Sequence, residues 1–229
     1  MRIGGFQKHS LIAYPGKTAA VIKTQGCCWR CPFCHNRSLV VPTRFQPAIP
    51  VEEIIEHLGA ERNELDGVVI TGGEPTMQTG LDLFLHRIRE MELLIKLDTN
   101  GSQPEVLAAL LDAKLLDYVA MDVKGPLCDY ARFTGCEVDT GPIELSIELI
   151  KQSGLPYEFR TTLVGGLHER AHIEELAPLM YGVRRYALQT YQPMPHDAKT
   201  QDPFTQPDVD LFHTASMALR DKVGEFVVR

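Results

Sequence analysis

Short apolar runs alternate with segments of helical periodicity along most of this chain. The runs are rich in β-branched residues, as strands are, and the intervening segments repeat apolar residues at helical spacing. Six such steps of roughly 30 residues each match the length of a βαβ unit. The predicted strands are 19–24, 67–71, 93–97, 118–121, 158–164 and 186–189, and the predicted helices are 51–63, 81–91, 104–114, 143–153 and 172–180.

This alternation predicts an α/β fold with a parallel sheet and helices outside it. Six steps are too few for an eight-stranded barrel, so we expect a partial (β/α)6 barrel with a curved parallel sheet. The 229 residues, 44% of them hydrophobic, can form one domain with a substantial core. We expect a single domain over 1–229, with its core at about 19–191 and a C-terminal loop and helix over 192–229.

Charge and hydropathy argue against two classes of partner. The net charge is −7 and no cluster of Lys and Arg appears, whereas nucleic-acid binding depends on such clusters. The sequence has no run of about 18 apolar residues and no apolar segment typical of a signal peptide. We therefore expect a cytoplasmic protein that binds neither nucleic acid nor membrane.

Four of the six cysteines fall within eight residues, a spacing that indicates metal binding or redox chemistry in a reducing compartment. Cys27, Cys31 and Cys34 follow the order Cys-x3-Cys-x2-Cys. Three thiolates can bind three irons of a 4Fe–4S cluster, whereas a fully protein-ligated cubane uses four cysteines. The fourth iron would then be open to a ligand. Cys128 and Cys136 match no metal motif and are interpreted as ordinary thiols.

Polar residues follow the predicted strands, at the edge where parallel α/β folds bind ligands. The segments are Gly72-Gly73-Glu74-Pro75, Asp98-Thr99-Asn100-Gly101 and Asp122-Val123-Lys124. Glycines and Asn-Gly pairs also form ordinary turns. Because all three segments follow strands, we favour a ligand site shared with the cysteine loop.

Two cations are candidates for this site. Lys124 follows a buried strand and suits the carboxylate or ribose oxygens of a ligand. Arg160 lies inside a strand, where an unpaired guanidinium is costly, so it should face the ligand or an acidic partner such as Glu74. His35, His168 and His172 are interpreted as packing or loop residues rather than ligands.

The cysteine loop with Phe33 before its last cysteine, ending in Cys34-His35-Asn36, resembles that of the radical S-adenosylmethionine (SAM) superfamily. The segments Gly5-Phe6-Gln7-Lys8, Ser10-Leu11-Ile12, Tyr14-Pro15-Gly16-Lys17 and Thr24-Gln25-Gly26 resemble those of activating enzymes of glycyl radical enzymes. Within that group, the resemblance is closest to the activating proteins of anaerobic ribonucleoside-triphosphate reductase. It covers about residues 3–191. Two departures are Ala13, where Asp is common, and Cys28, which could compete as a cluster ligand.

The resemblance implies that a 4Fe–4S cluster on Cys27, Cys31 and Cys34 reductively cleaves SAM to a 5′-deoxyadenosyl radical under anaerobic conditions. It assigns Gly72, Gly73 and Glu74 to the methionyl amino group. Phe33, Asp98, Asn100, Lys124 and Arg160 complete the expected cofactor-binding set. In the pyruvate formate-lyase branch two Asp residues hold a monovalent cation, and Asp98 and Asp122 match them. No acid–base catalytic residue is expected, since the radical itself removes the hydrogen.

The expected partners are a glycyl radical enzyme, most simply the large subunit of an anaerobic ribonucleotide reductase, and flavodoxin or ferredoxin as electron donor. Three alternatives remain open at this point. The chain could activate a pyruvate formate-lyase-like enzyme, it could be a radical SAM enzyme acting on a small molecule, or it could be a zinc or iron–sulfur carrier without catalysis of its own.

Overall fold

The computed structural model describes residues 1–193 and 203–229, in which strands alternate with helices. The strands are β1 (Ile3–Tyr14), β2 (Lys17–Thr24), β3 (Gly67–Gly72), β4 (Leu94–Thr99), β5 (Tyr118–Asp122), β6 (Tyr157–Leu163), β7 (Arg185–Thr190) and β8 (Glu225–Val228). The α-helices are α1 (Arg37–Val40), α2 (Val51–Ala60), α3 (Leu81–Arg89), α4 (Pro104–Asp112), α5 (Tyr130–Thr134), α6 (Gly141–Gln152), α7 (Arg170–Leu179) and α8 (Val209–Arg220).

The chain forms two compact units, each assembled from separate stretches of sequence. The first unit comprises 1–29, 36–121 and 141–156, and the second comprises 30–35, 122–140 and 157–229.

The first unit is built on strands β1 to β5. An antiparallel hairpin joins β1 to β2, and its turn contains Gly16 in the left-handed conformation that favours glycine. From β2 to β5 the pairing is parallel and follows chain order. Val68, Val69 and Ile70 are fully buried on β3, as expected for a parallel strand covered on both faces.

The second unit contains the parallel strands β6, β7 and β8, and α7 contacts α8. Its apolar cluster joins residues that are distant in sequence, which fixes the loops that carry them. The cluster consists of Phe33, Phe133, Val164, Leu167 and Tyr191.

All six predicted strands and all five predicted helices are present, with bounds shifted by a few residues, and the α/β class with parallel strands is confirmed. The sequence analysis missed β1, β8, α1 and α5. On β1, three register shifts and the exposed run 7–9 hide any regular alternation of apolar and polar residues. The predicted C-terminal helix is α8, and the predicted loop before it includes residues 194–202, which lie outside the described residues. No helix in the described ranges is long and apolar enough to cross a bilayer.

A buried carboxylate ties the three strands of the second unit together. Glu158 on β6 is 1% exposed and accepts hydrogen bonds from both terminal nitrogens of Arg229, at 2.9 and 2.8 Å. Arg185 on β7 contributes a third, from its Nε at 3.2 Å. Because a buried carboxylate is costly without partners, this cluster favours the register in which Arg229 follows β8.

Replacing Arg229 with Ala should therefore lower the free energy of unfolding by about 2 kcal/mol, since Arg185 alone cannot satisfy both oxygens of Glu158. Urea unfolding followed by circular dichroism would measure it. The matched control is Arg170→Ala, which removes an exposed helical pair with Glu174 and should cost less than about 0.5 kcal/mol. Equal effects of the two changes would contradict the role given to Arg229.

Candidate active site

The cysteine loop contains four cysteines, none of them in a disulfide, and divides between the two units. Cys27 and Cys28 belong to the first unit, and Cys31 and Cys34 belong to the second. The Cys34 amide donates to the Cys31 carbonyl at 3.1 Å, which turns the loop back on itself between these two cysteines. Each pair therefore has its own set of neighbouring side chains.

Gly72 and Gly73 allow the end of β3 to approach the backbone that leads into the cysteine loop. A Cβ on Gly72 would collide with Thr24, and one on Gly73 would collide with the carbonyl of Gly26. Without side chains, the Gly73 amide donates to Thr24 O at 2.9 Å and the Glu74 amide to Gly26 O at 2.8 Å. The two glycines thus fix the chain directly before Cys27.

Glu74 is 1% exposed, and both of its carboxylate oxygens are fully engaged. Its Oε1 accepts from the Thr76 amide, the Thr76 hydroxyl and the Thr99 hydroxyl at 3.1, 2.6 and 2.7 Å. Its Oε2 accepts from the Asn100 amide at 2.7 Å. Burial raises the pKa of Glu74, and these hydrogen bonds oppose that rise. The side chain therefore fastens the segment after β3 to the end of β4.

Asn100 connects this carboxylate to the cysteines. While its amide binds Glu74, its side-chain Nδ2 lies 3.7 Å from Cys27 Sγ and 3.6 Å from Cys28 Sγ. Its Oδ1 accepts from the Ser102 amide at 2.9 Å, which fixes the rotamer. Hydrogen bonds to thiolate sulfur tune the reduction potential of an iron–sulfur cluster, so Asn100 is placed to do so.

Cys28 is part of the same polar contacts. Its thiol shares a hydrogen bond with Cys27 and contacts Ser102 Oγ at 3.2 Å. The hydrogen bond with Cys27, with those of Ser102 and Asn100, lowers the pKa of Cys28 to about 6. The sequence-based suggestion that Cys28 could compete as a ligand is compatible with this position.

Asp98 is paired within its own strand. Its Oδ1 accepts from the ammonium of Lys96, two residues earlier on the same face of β4. Lys96 is 1% exposed, which is rare for a lysine and requires a compensating partner. The predicted site residue Asp98 therefore already has a cation bound to it.

In the second unit, Asp122 lies between two cations. Its Oδ1 accepts from Arg160 Nε at 2.7 Å and its Oδ2 from Lys124 Nζ at 2.9 Å. Burial acts to raise the pKa of Asp122, but Arg160 and Lys124 outweigh it and hold that pKa far below its usual range. Arg160 has an acidic partner, and within this unit that partner is Asp122.

Lys124 also affects the cysteine loop. Burial raises the pKa of the Cys31 thiol to about 11, and the ammonium of Lys124 opposes that rise. Lys124 and Arg160 both place positive charge beside Asp122. The charge of Lys124 acts in favour of a thiolate at Cys31, while burial of that thiol has the larger, opposite effect.

His168 secures the backbone at Lys124. Its Nδ1 accepts from the Val164 amide at 3.1 Å, so the proton lies on Nε2, which donates to the Lys124 carbonyl at 3.1 Å. The ring is 3% exposed. Burial lowers the pKa of His168 to about 4, against the effect of both backbone contacts.

Phe33 and His35 pack on the same tyrosine. Phe33 is buried and meets the ring of Tyr191 edge-on, whereas the His35 ring stacks on Tyr191 with centroids 5.0 Å apart. His35 Nε2 also contacts the Gln192 carbonyl at 2.7 Å. These contacts hold the second half of the cysteine loop in place.

The remaining two cysteines lie apart from the loop in sequence and have other contacts. Cys128 donates to Glu175 Oε2 at 2.6 Å, and the Cys136 thiol lies 3.8 Å from the Thr134 carbonyl.

The donor set suits an iron–sulfur cluster. Three thiols outside any disulfide follow the predicted spacing, with the side-chain amide of Asn100 directed at Cys27 sulfur and the ammonium of Lys124 acting on Cys31. Within 1–193 and 203–229, no three His, Cys, Asp or Glu side chains are grouped as ligands of one metal ion. Cysteines that bind separate irons of a cubane stand farther apart than the ligands of one ion.

Comparison with known proteins decides the family. Residues 21–179 match the model of the radical SAM superfamily. This chain is a radical SAM enzyme. Membership implies a 4Fe–4S cluster and SAM, and it confirms the α/β fold of the radical SAM type that the sequence predicted.

Individual proteins show which radical SAM enzymes this chain is similar to. A Methanocaldococcus jannaschii protein with the provisional name glycyl-radical enzyme activating enzyme is 36% identical over 199 residues, which cover 83% of this chain and 80% of that protein. A domain of the pyruvate-formate lyase-activating enzyme from Bacteroides vulgatus shares the fold, with a TM-score of 0.56 and 20% identity, over 71% of this chain and 98% of that one. Streptococcus suis SuiB also has this fold, with a TM-score of 0.65 and 17% identity. The match covers 91% of this radical SAM chain and 48% of the SuiB chain.

Three contributors to this radical SAM site were missed from the sequence. They are the buried Lys96, the pair of threonines that bind Glu74, and His168 as an anchor of the backbone at Lys124. A lysine inside an otherwise apolar strand was a usable signal for the first. For the other two the sequence held no signal, because Thr and His are common in turns.

Replacing Glu74 with Gln should lower the free energy of unfolding by about 2–3 kcal/mol, because the amide –NH2 would face a hydrogen-bond donor in either orientation. Urea unfolding of the chain prepared without iron measures this, with the exposed Glu53→Gln as the matched control. Weaker SAM binding at unchanged stability would contradict the fastening role of Glu74.

The burial of neutral His168 predicts a loss of stability in acid. Its pKa is lower in the folded chain, about 4, than in the unfolded chain, about 6.5, so its contribution is complete above pH 6.5 and is lost as the pH falls towards 4. Between pH 7 and pH 4.5, the loss of this contribution should lower the free energy of unfolding by about 2 kcal/mol.

Urea unfolding at a series of pH values would test this. His168→Gln should remove that part of the pH dependence, whereas the exposed His213→Gln should keep it. An unchanged slope in His168→Gln would disprove the assignment.

Proposed function

We propose that this radical SAM enzyme activates a glycyl radical enzyme, most simply an anaerobic ribonucleoside-triphosphate reductase. The proposal depends on one observation, the three-thiol loop of Cys27, Cys31 and Cys34 in a chain 36% identical to a protein with the provisional name glycyl-radical enzyme activating enzyme. The pyruvate-formate lyase-activating domain that shares the fold is consistent with it.

When bound, the cluster and SAM together supply a 5′-deoxyadenosyl radical by one-electron reduction of the sulfonium. We assign the three cysteines to the cluster and leave one iron for SAM. Asn100 donates to sulfur at Cys27, and Lys124 favours the thiolate of Cys31. The chain's own part is to hold these groups and to exclude water.

We assign the ammonium and carboxylate of SAM to opposite charges in the chain. Gly72 and Gly73, with the negative charge of Glu74 behind them, suit the ammonium group, since main-chain carbonyls can approach it closely. Lys124 and Arg160 suit the carboxylate, because an ammonium and a guanidinium are both good hydrogen-bonding partners for a carboxylate. Phe33 supports the loop through Tyr191.

The hydrogen donor in this proposal is the α-carbon of a glycine in the partner enzyme, which is unhindered because glycine has no side chain. No side chain of the activase need act as acid or base in that step. A flavodoxin or ferredoxin is proposed as the source of the electron, and the cytoplasm as the compartment.

Isotope transfer tests the proposal directly. The partner reductase is expressed with glycine deuterated at its α-carbon and incubated anaerobically with the reconstituted activase, SAM and a strong reductant. We expect 5′-deoxyadenosine that contains one deuterium, detected by mass spectrometry, and a protein radical detected by electron paramagnetic resonance. Cys31→Ala should abolish both signals, whereas Cys128→Ala, outside the loop, should retain them.

Other outcomes separate the alternatives. Deuterium transfer only from a labelled pyruvate formate-lyase would move the assignment to that partner. SAM cleavage without transfer from any glycyl radical enzyme would favour a radical SAM enzyme acting on a small molecule. Absence of cleavage with an intact cluster would overturn the proposed reaction.

A further inference from the structure

The two carboxylates that match a monovalent-cation site in related activases do not fit one in this chain. Such a site needs carboxylates whose negative charge is available to the ion. Here Asp98 is bound by Lys96, and Asp122 is bound by both Lys124 and Arg160. Each carboxylate is therefore neutralised by cations of its own unit.

Of the three cations that bind these carboxylates, Lys96 is the most deeply buried. It is on the parallel strand β4, paired in register with Tyr118 of β5, and its side chain is 2% exposed. A lysine on an α/β strand interior is costly unless its ammonium finds a fixed partner. The stability of Lys96 at this depth therefore depends on the partner of its ammonium.

Two contacts place the ammonium of Lys96. It donates to Asp98 Oδ1, and it lies over the ring of Tyr118, 5.8 Å from the ring centroid. A carboxylate and an aromatic face are both favourable partners for a cation in a dry site. The ammonium thus lies against Asp98 and neutralises the charge that would attract a dissociable cation.

We propose that Lys96 is a built-in counter-ion that replaces the monovalent cation, so that this chain binds SAM and cleaves it without K⁺ or Na⁺. The inference rests on the proposed function, since it concerns the same SAM site. Lys96 acts through Asp98 and is a positioning residue. It differs from a bound ion in one respect: it cannot be removed by changing the buffer.

Cation exchange on the purified protein tests this without a glycyl radical partner. The thermal midpoint and the rate of 5′-deoxyadenosine formation are compared in KCl, NaCl and tetramethylammonium chloride at equal ionic strength. For the natural chain, both should be the same in all three salts, the rates within about 2-fold. In addition, ²⁰⁵Tl⁺ nuclear magnetic resonance should show no bound thallium ion.

Lys96→Met removes the ammonium and leaves the carboxylate of Asp98. This variant should gain a cation requirement, with cleavage at least about 10-fold faster in KCl or NaCl than in tetramethylammonium chloride. Its midpoint should rise by about 4 °C in the presence of the small cation, and it should bind Tl⁺.

Two control variants test whether the effect comes from the charges of Lys96 and Asp98. Lys96→Met with Asp98→Asn lacks both charges and should show no difference between salts in midpoint or Tl⁺ binding. Lys23→Met, on β2 of the same unit and partly exposed, should behave as the natural chain does. If Lys96→Met fails to fold, the natural chain and the double variant still decide, because the inference requires both to ignore the identity of the cation.

Slower cleavage by the natural chain in tetramethylammonium chloride, or Tl⁺ bound to it, would overturn the inference. A Lys96→Met variant that folds and cleaves SAM equally in all salts would also overturn it. Failure of the proposed function has a different result. It would show as SAM cleavage with no transfer of deuterium from a labelled glycyl radical enzyme, or as no cleavage in any salt, and in the second case the thermal midpoints and Tl⁺ binding still test the role of Lys96.

Discussion

The carboxylate of Glu74 is buried away from water, and a buried carboxylate must find hydrogen-bond donors within the chain. It finds them in Thr76, Thr99 and Asn100, so that the segment after β3 and the end of β4 share one charge. Asn100 is fixed by this contact through its amide, and its side chain then reaches Cys27. In the first unit, the surroundings of the cysteine depend on that one interaction.

The same principle applies to the cations. In the first unit Lys96 is buried beside Asp98, and in the second unit Lys124 and Arg160 enclose Asp122. A charge held by a side chain needs no ion from solution and cannot diffuse away, although the chain bears the cost of burying it. In both units, the charge of the aspartate is therefore balanced by lysine or arginine side chains of the same unit.

Strand–helix alternation was sufficient to predict six strands and five helices, because parallel strands buried on both faces are continuous apolar runs. β1 and β8 were not predicted from the sequence, for a different reason. β1 is irregular and partly exposed, and β8 is four residues long, so their pairing with neighbouring strands defines them more than their composition does. The cysteine loop, Gly72 to Glu74 and the segment at Asp98 could also be found from sequence, since each is a contiguous motif.

The order of the residues by itself predicted the α/β class, which follows from the periodicity of strands and helices, and a loop of three cysteines at the spacing of an iron–sulfur site. The radical SAM family was indicated by the resemblance of that loop and the segments around it to known activases, and the family model confirmed it. Tertiary structure alone decided which donors meet Glu74, which cation meets Asp98 and which acid meets Arg160. Those pairings join residues 2 to 38 positions apart in sequence. A hydrogen bond between side chains depends on distance in space, and only the packing of the strands and their loops sets that distance.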